Sequence, residues 1–201
     1  MFNIICEDHP QIDTMPVLKT KVYPWAYGSY KPLMHARLAF SKSNGFFFDL
    51  MSFDRDPKVE NGDILKDSCI ASSFNFFPKS SKKCLTSVIN SKGQSRIYVG
   101  DGSETAENPP ENIGALDDLQ IYGGSDEQGW YWGARFYVSD DLLKKIYQDE
   151  GSLELIEKGY IVDGGLYRFL SWSVNSHLSS VTEIYGDFIF DKKNYAEFKL
   201  I

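Results

Sequence analysis

The side chains in this sequence that could do chemistry are few and scattered. Three histidines, His9, His35 and His177, lie far apart, and none sits in a metal-binding pattern such as H-E-x-x-H. Three cysteines, Cys6, Cys69 and Cys84, are odd in number and lack zinc-ligand spacing. They read as buried free thiols. No nucleophile elbow, phosphate-binding loop or dinucleotide fingerprint is present, so nothing points to a cofactor or metal. Paired carboxylates for glycoside hydrolysis would have to come from Asp54, Asp67, Asp163 and Glu183. The ordinary role of each such acid is to bond a backbone N–H in a turn or to face water. Asp67, beside Ser68 at the start of a strand, is the one expected to be buried and hydrogen-bonded.

A different chemistry is better supplied. The chain has 14 Phe, 12 Tyr and 4 Trp. A sugar presents hydroxyls at its edge and weakly apolar C–H groups on its faces. Flat rings can cover the faces, while Arg and Asn bond the hydroxyls. Strand alternation sorts residues by face. In 94–99, Ile97 and Val99 belong to the core, so Arg96 and Tyr98 face away. In 130–138, Trp130, Trp132, Ala134, Phe136 and Val138 read as core, with Tyr131, Arg135 and Tyr137 opposite. In 83–90, Leu85 and Ile89 read as core, leaving Thr86, Val88 and Asn90 outward. One outer face is therefore expected to gather Asn90, Arg96, Tyr98, Tyr131, Arg135 and Tyr137. Trp172, near the Gly164-Gly165 turn, is the tryptophan expected at a ligand, and Trp25 reads as core or loop anchor. The alternative is that outward Tyr and Arg only cover a sheet.

The elements that must position these residues read mostly as strands. His35–Phe40 and Gly45–Phe53 flank a turn at 41–44. Asp67–Phe77 ends at Pro78. Residues 83–90 and 94–99 form a hairpin around Asn90-Ser91-Lys92-Gly93, because Asn and Gly tolerate left-handed turns. Residues 100–125 read as a long polar loop with Pro109-Pro110. After 130–138, Ser139-Asp140-Asp141 caps a short helix over 142–147. Residues 152–158 read as a second helical turn. Strands over 167–172, 186–190 and 195–200 close the chain, and residues 1–20 read as a leading segment pairing at a sheet edge. About nine strands imply an all-β, two-sheet sandwich of jelly-roll type with one or two short helices, as a single domain over 1–201.

Charge and hydropathy narrow the partners. The net charge is −7, and no run of Lys or Arg exceeds two. That excludes the clustered positive surface needed to grip a nucleic acid backbone. No stretch reaches the roughly 20 apolar residues needed to span a bilayer. The apolar run at the N-terminus is short and followed at once by acids, so a cytoplasmic protein is expected.

Several short patterns occur in a consistent order. Tyr23-Pro24-Trp25 with Pro32 precedes a strand, and Ser52-Phe53-Asp54 ends the next. Asp67-Ser68-Cys69-Ile70 opens a strand closing at Asn75-Phe76-Phe77-Pro78, and Asn90-x-x-Gly93 closes another. Trp132 precedes Val138-Ser139. Gly164-x-x-Tyr167-Arg168, Ser171-Trp172 and Glu183-x-Tyr185-Gly186 follow, before Phe188 and Phe190. Over about residues 20–192 the chain resembles the family 9-like carbohydrate-binding modules, relatives of sugar-binding modules attached to some xylanases.

The resemblance implies a β-sandwich and carbohydrate recognition without catalysis. It also implies ligands that this chain lacks. Ala71 stands where the family pattern has a sugar-binding acid two positions after the Cys. Ile64 replaces a sugar-stacking Trp, and Val88 replaces an acid in the next strand. The expected site is therefore Asn90, Arg96, Tyr98, Tyr131 and Trp172, with a carbohydrate as ligand. The alternative is an interaction or scaffold sandwich that has lost sugar binding and takes a protein partner. A glycoside-processing enzyme is the third reading.

Overall fold

The computed structural model describes residues 2–4, 6–7, 9–19, 33–41, 43–54, 56–59, 62–78, 80–127, 129–147, 164–172 and 196–200. For residues 2, 3 and 6 and for the last two stretches it describes the backbone alone. Among the described residues thirteen strands form two sheets. The first sheet is seven-stranded. It runs, in order, through β1 (Phe2–Ile4), β13 (Ala196–Leu200), β12 (Gly164–Trp172), β6 (Cys69–Asn75), β7 (Cys84–Asn90), β8 (Ser95–Gly100) and β9 (Glu111–Gly114). The second runs through β10 (Gln120–Asp126), β11 (Gly129–Val138), β5 (Gly45–Ser52), β4 (Met34–Ser41) and β2 (Cys6–Glu7), with β3 (Leu18–Lys19) also on β4. Pairing is antiparallel except for β1 on β13 and β2 on β4. The expected two-sheet β-sandwich is the observed fold.

The core lies between the sheets and is dominated by phenylalanine. Phe48 and Phe136 are direct partners across β5 and β11 and stack at 5.1 Å. Phe74 of the opposite sheet meets Phe48 edge-on at 5.4 Å, and Phe76, just past β6, meets Phe46 at 4.8 Å. Offset and edge-on geometries suit the ring quadrupoles, and each fully buried Phe contributes about 1.5–3 kcal/mol of transfer free energy. The single α-helix among the described residues, α1 (Asp140–Tyr147), follows β11 directly. Ser139 caps it as expected, its Oγ accepting the Leu142 N–H at 3.3 Å. Tyr147 closes one end of the core against Phe77 and donates to the Lys83 carbonyl. The expected helical turn at 152–158 and strand at 186–190 lie outside the described residues.

The long polar loop expected at 100–125 is a correction, since β9 and β10 both lie within it. Each is the last strand of its sheet, and most of its side chains are exposed or half-buried. An edge strand with little to bury carries no alternating apolar signal. The leading segment does pair at the edges, through β1 and β2, yet Ile4 is fully buried in the core.

Cys69 and Cys84 are buried and free. Burial pushes both thiols up, Cys69 further through Asp67 and Asp63, and Cys84 through Glu104 and Asp101. A raised thiol holds little thiolate and reacts slowly. Titration with a thiol reagent at pH 8 should leave these two unreacted in the native protein, and denaturation without reductant should release three. Release of only one would establish a disulfide and overturn this reading.

Candidate functional site

The strand register converts the candidate residues into rows. Across β12, β6 and β7, Trp172 pairs with Cys69 and Cys69 with Asn90. The next row is Leu170, Ala71, Val88 and Arg96. After it come Arg168, Ser73, Thr86, Tyr98 and Asn112. Arg96 and Tyr98 therefore share the face of the first sheet that lies away from the phenylalanine core. Ala71 and Val88, where the resemblance implies two sugar-binding acids, are direct cross-strand partners beside Arg96.

That face is not the open surface that alternation suggests at β6 and β7. Ala71 is 1% exposed and Val88 0%, and Thr86 and Asn90 are fully buried. This corrects the expectation that Thr86, Val88 and Asn90 are outward: alternation assigns a face but not what covers it. Ser73 and Thr86 satisfy one another there at 2.7 Å. Among the described residues the face opens at β8 and β9, where Arg96 and Asn112 are exposed and Tyr98 is half-buried. The Arg96 guanidinium donates to the neighbouring Ser95 carbonyl at 3.0 Å and meets no carboxylate among the described residues. Burial pushes the Tyr98 hydroxyl up, with Asp63 adding to the shift and Arg96 opposing it.

Asn90 anchors a turn. Its Nδ2 donates to Asp67 Oδ2 at 3.0 Å and to Gln94 Oε1 at 2.7 Å, while Oδ1 accepts the backbone N–H groups of Lys92 and Gln94. An amide side chain has two donors and two acceptor lone pairs, so nothing remains for a ligand. Its expected role as a ligand contact is corrected on that ground. Gly93 completes the turn at φ +83°, a left-handed conformation that glycine adopts without steric cost. Asp67-Ser68-Cys69 is likewise structural. Asp67 holds Asn90, Ser68 Oγ accepts the Lys58 N–H, and Cys69 Sγ donates to the Ile64 carbonyl. The motif pins the loop before β6 onto the sheet. Ile64, in place of a stacking Trp, is buried in that loop.

Tyr131, Arg135 and Tyr137 lie on the outer face of the other sheet, with β5 and β10 beside them. The single gathered face is therefore corrected: the set divides between opposite sides of the sandwich, because β11 and β8 belong to different sheets. The second face is closed on itself around a residue that sequence reasoning passed over, the buried Asp49. Asp49 meets Arg37 at 3.3 Å and Arg135 at 3.4 Å, and it accepts a short hydrogen bond from the Tyr122 hydroxyl. Arg135 also meets Asp13 at 2.8 Å and lies over the Tyr122 ring. Burial and Asp49 push Tyr122 up, and for Arg135 the acids outweigh the cost of burial and raise its pKa. A Cβ at Gly133 would fall 2.4 Å from the Tyr122 ring, so glycine lets Tyr122 lie across the strand to reach Asp49. Tyr137 stacks on Phe47 at 4.5 Å, and Tyr131 meets Phe53 edge-on at 6.0 Å. A lone apolar-patterned strand with Asp at its centre was the only sequence signal for this network.

Of the four acids considered for catalysis, Asp163 and Glu183 lie outside the described residues. Asp54 and Asp67 are both buried, and Asp54 accepts the Asp56 N–H in a tight turn. Among the described residues no three His, Cys, Asp or Glu are grouped to hold a metal, and no helix is long and apolar enough to cross a membrane. A cleft of about 1010 Å³ opens where β11 meets α1, lined by Asn44, Asp118, Arg135, Tyr137 and Lys144 among others, and it holds none of the five site candidates.

No family model and no curated protein matches the chain. Solved structures do. A candidate carbohydrate-binding protein from Bacteroides uniformis aligns at TM-score 0.55 and 11% identity, covering 100% of this chain and 99% of that one. A family 9 carbohydrate-binding module from Caldicellulosiruptor kristjanssonii, solved with cellotriose, aligns at 0.51 and 8%, covering 98% and 93%. A family 9 module from the same organism, solved with glucose, aligns at 0.49 and 9%, covering 99% and 95%. The chain has the fold of these modules.

Two outcomes test this assignment of roles. Asn90→Ala strands buried Asp67 and two turn N–H groups, so it should lower unfolding free energy by about 1–3 kcal/mol, while exposed Arg96→Ala should stay within about 0.5 kcal/mol, both read by urea unfolding. His35 is buried at an edge-on contact with Phe53, and its Nε2 has no hydrogen-bond partner among the described residues. Burial, then Lys19 and Arg37, lower its pKa below 6.5. The unfolded chain therefore binds the proton first, so stability is complete above pH 6.5 and falls as pH drops through that value. His35→Gln should flatten that slope in unfolding curves measured from pH 7.5 to 5.

Proposed function

We propose that the protein is a stand-alone, non-catalytic carbohydrate-binding domain, spanning residues 1–201 and working in the cytoplasm. The observation that carries this is the row in which Arg96 stands beside the buried pair Val88 and Ala71, one register step from Tyr98. The guanidinium beside that pair is exposed and meets no carboxylate among the described residues, and the half-buried Tyr98 ring borders it. A hexose laid there would meet Tyr98 with a C–H face and accept hydrogen bonds from the Arg96 fork. The likeness of the fold to sugar-binding modules supports the same reading. Trp172 belongs to it through register: it stands in the row of Cys69 and Asn90, and β12 lies three strand spacings, about 14 Å, from β8. Only an oligosaccharide could reach both strands. Tyr131, on the other sheet, is not part of this proposal.

The buried apolar pair at 71 and 88 also favours a second reading, a sandwich of this fold that takes a protein partner after losing sugar binding. Titration calorimetry with neutral mono- and oligosaccharides, cellotriose included, separates the two. The first expects binding that Arg96→Ala weakens about ten-fold or more, as loss of a charged hydrogen bond worth about 1.5–3 kcal/mol requires. No heat from any sugar at millimolar concentration sinks it in favour of the second.

A further inference from the structure

Among the described residues only two large hydrophobic side chains are exposed, Val17 and Trp130, and Trp130 is 59% exposed. Trp132, two positions on and on the same face of β11, is 4% exposed and packed in the core. Trp130 therefore belongs to the core-facing side of the second sheet but stands past the end of the core, on the β10–β11 hairpin.

The hairpin holds the ring on a firm and bare base. Pairing continues to its tip, where Asp126 faces Gly129 and Asp126 Oδ1 accepts the Gly129 N–H at 3.2 Å. Directly across from Trp130 is Ser125, and the diagonal neighbour on the same face is Gly123. Neither can cover an indole. The contrast is with Tyr122, one residue away on the opposite face, whose ring lies flat across the strand against Gly133. Ser125, directly across from the indole, is exposed, while Asp126 alternates to the other face of β10 and is engaged with the Gly129 N–H. A flat, uncovered ring with a serine hydroxyl across from it is chemistry that suits a neutral sugar ring: a C–H face on the indole, and a ring hydroxyl bonded to Ser125.

The location ties this ring to the Arg96 face. A Cβ at Gly93, in the β7–β8 turn, would lie 3.3 Å from the Ile121 side chain, on the same face of β10 as Gly123 and Ser125. The hairpin face that carries Trp130 thus meets the turn before β8 at Ile121, with Trp130 four residues further along toward the hairpin tip, and Arg96 follows that turn after Gln94 and Ser95. On the premise that the protein binds sugar, we propose that Trp130 is a second stacking platform, so that the ligand is a neutral oligosaccharide with one ring on Trp130 and another on the Arg96–Tyr98 face. Nothing in the row pattern of the first sheet requires it, because Trp130 is carried by the other sheet.

The test is calorimetry on the intact chain with glucose and cellotriose, using the wild type, Trp130→Ala, Trp130→Phe and Arg96→Ala. Urea unfolding of each variant shows whether the fold is kept. The wild type should bind cellotriose more tightly than glucose. Trp130→Ala should weaken cellotriose about ten-fold, equivalent to ~1.4 kcal/mol, and leave glucose unchanged, while Trp130→Phe keeps part of the gain. Arg96→Ala should weaken both sugars. Cellotriose should also shift tryptophan emission to the blue in the wild type, and less so in Trp130→Phe. Equal cellotriose affinity in the wild type and Trp130→Ala overturns the platform and leaves the sugar reading standing. Failure of the wild type to bind either sugar overturns both.

Discussion

Phenylalanine rings from both sheets interlock in one layer, and every face in the molecule is defined relative to it. Phe46, Phe48 and Phe136 descend from one sheet, and Phe74 rises from the other to meet two of them. Because side chains alternate along a strand, fixing Phe74 in that layer places Ser73 and Asn75 on the far side of β6. Fixing Ile89 and Ile97 does the same for Val88 and Arg96. A slip of one residue would exchange the faces and bury Arg96 in the core, at a cost far above that of any single surface contact. The candidate ligand face is thus a consequence of where the rings pack.

The two outer faces have been used differently. On the second sheet, Asp49 is taken out of water and compensated by two arginines and a tyrosine hydroxyl, as a buried charge requires. Those arginines and rings are occupied with one another, so this face stabilises itself and offers little to a ligand. On the first sheet, the buried polar groups of β6 and β7 are also internally paired, through Ser73 with Thr86 and Asn90 with Asp67. What remains unengaged lies at β8 and at the hairpin beyond it. Among the described residues Arg96 meets no carboxylate, and Trp130 is 59% exposed.

The sequence announced most of the frame. Segments rich in Phe, Val and Ile with clear alternation, such as Gly45–Ser52 and Gly129–Val138, are strands within one residue of their expected bounds. The Ser139 cap and the Asn90–Gly93 turn were equally legible, since both depend on contacts within five residues. Edge strands β9 and β10 were not, because they bury little. Asp49 gave almost no signal, since its partners Arg37, Tyr122 and Arg135 come from three other strands.

The sequence by itself determined which residues share a face of each strand, where the chain turns, and where the helix after β11 begins. All of these follow from period-two alternation and local backbone preference. Only the tertiary structure decided which strands lie in the same sheet. That choice separated Tyr131 from Arg96, made Ala71 and Val88 neighbours, and left Trp130 rather than Trp132 in solvent. Pairing between strands far apart in sequence is set by how apolar faces close over one another, a property of the whole core that no short stretch of sequence contains.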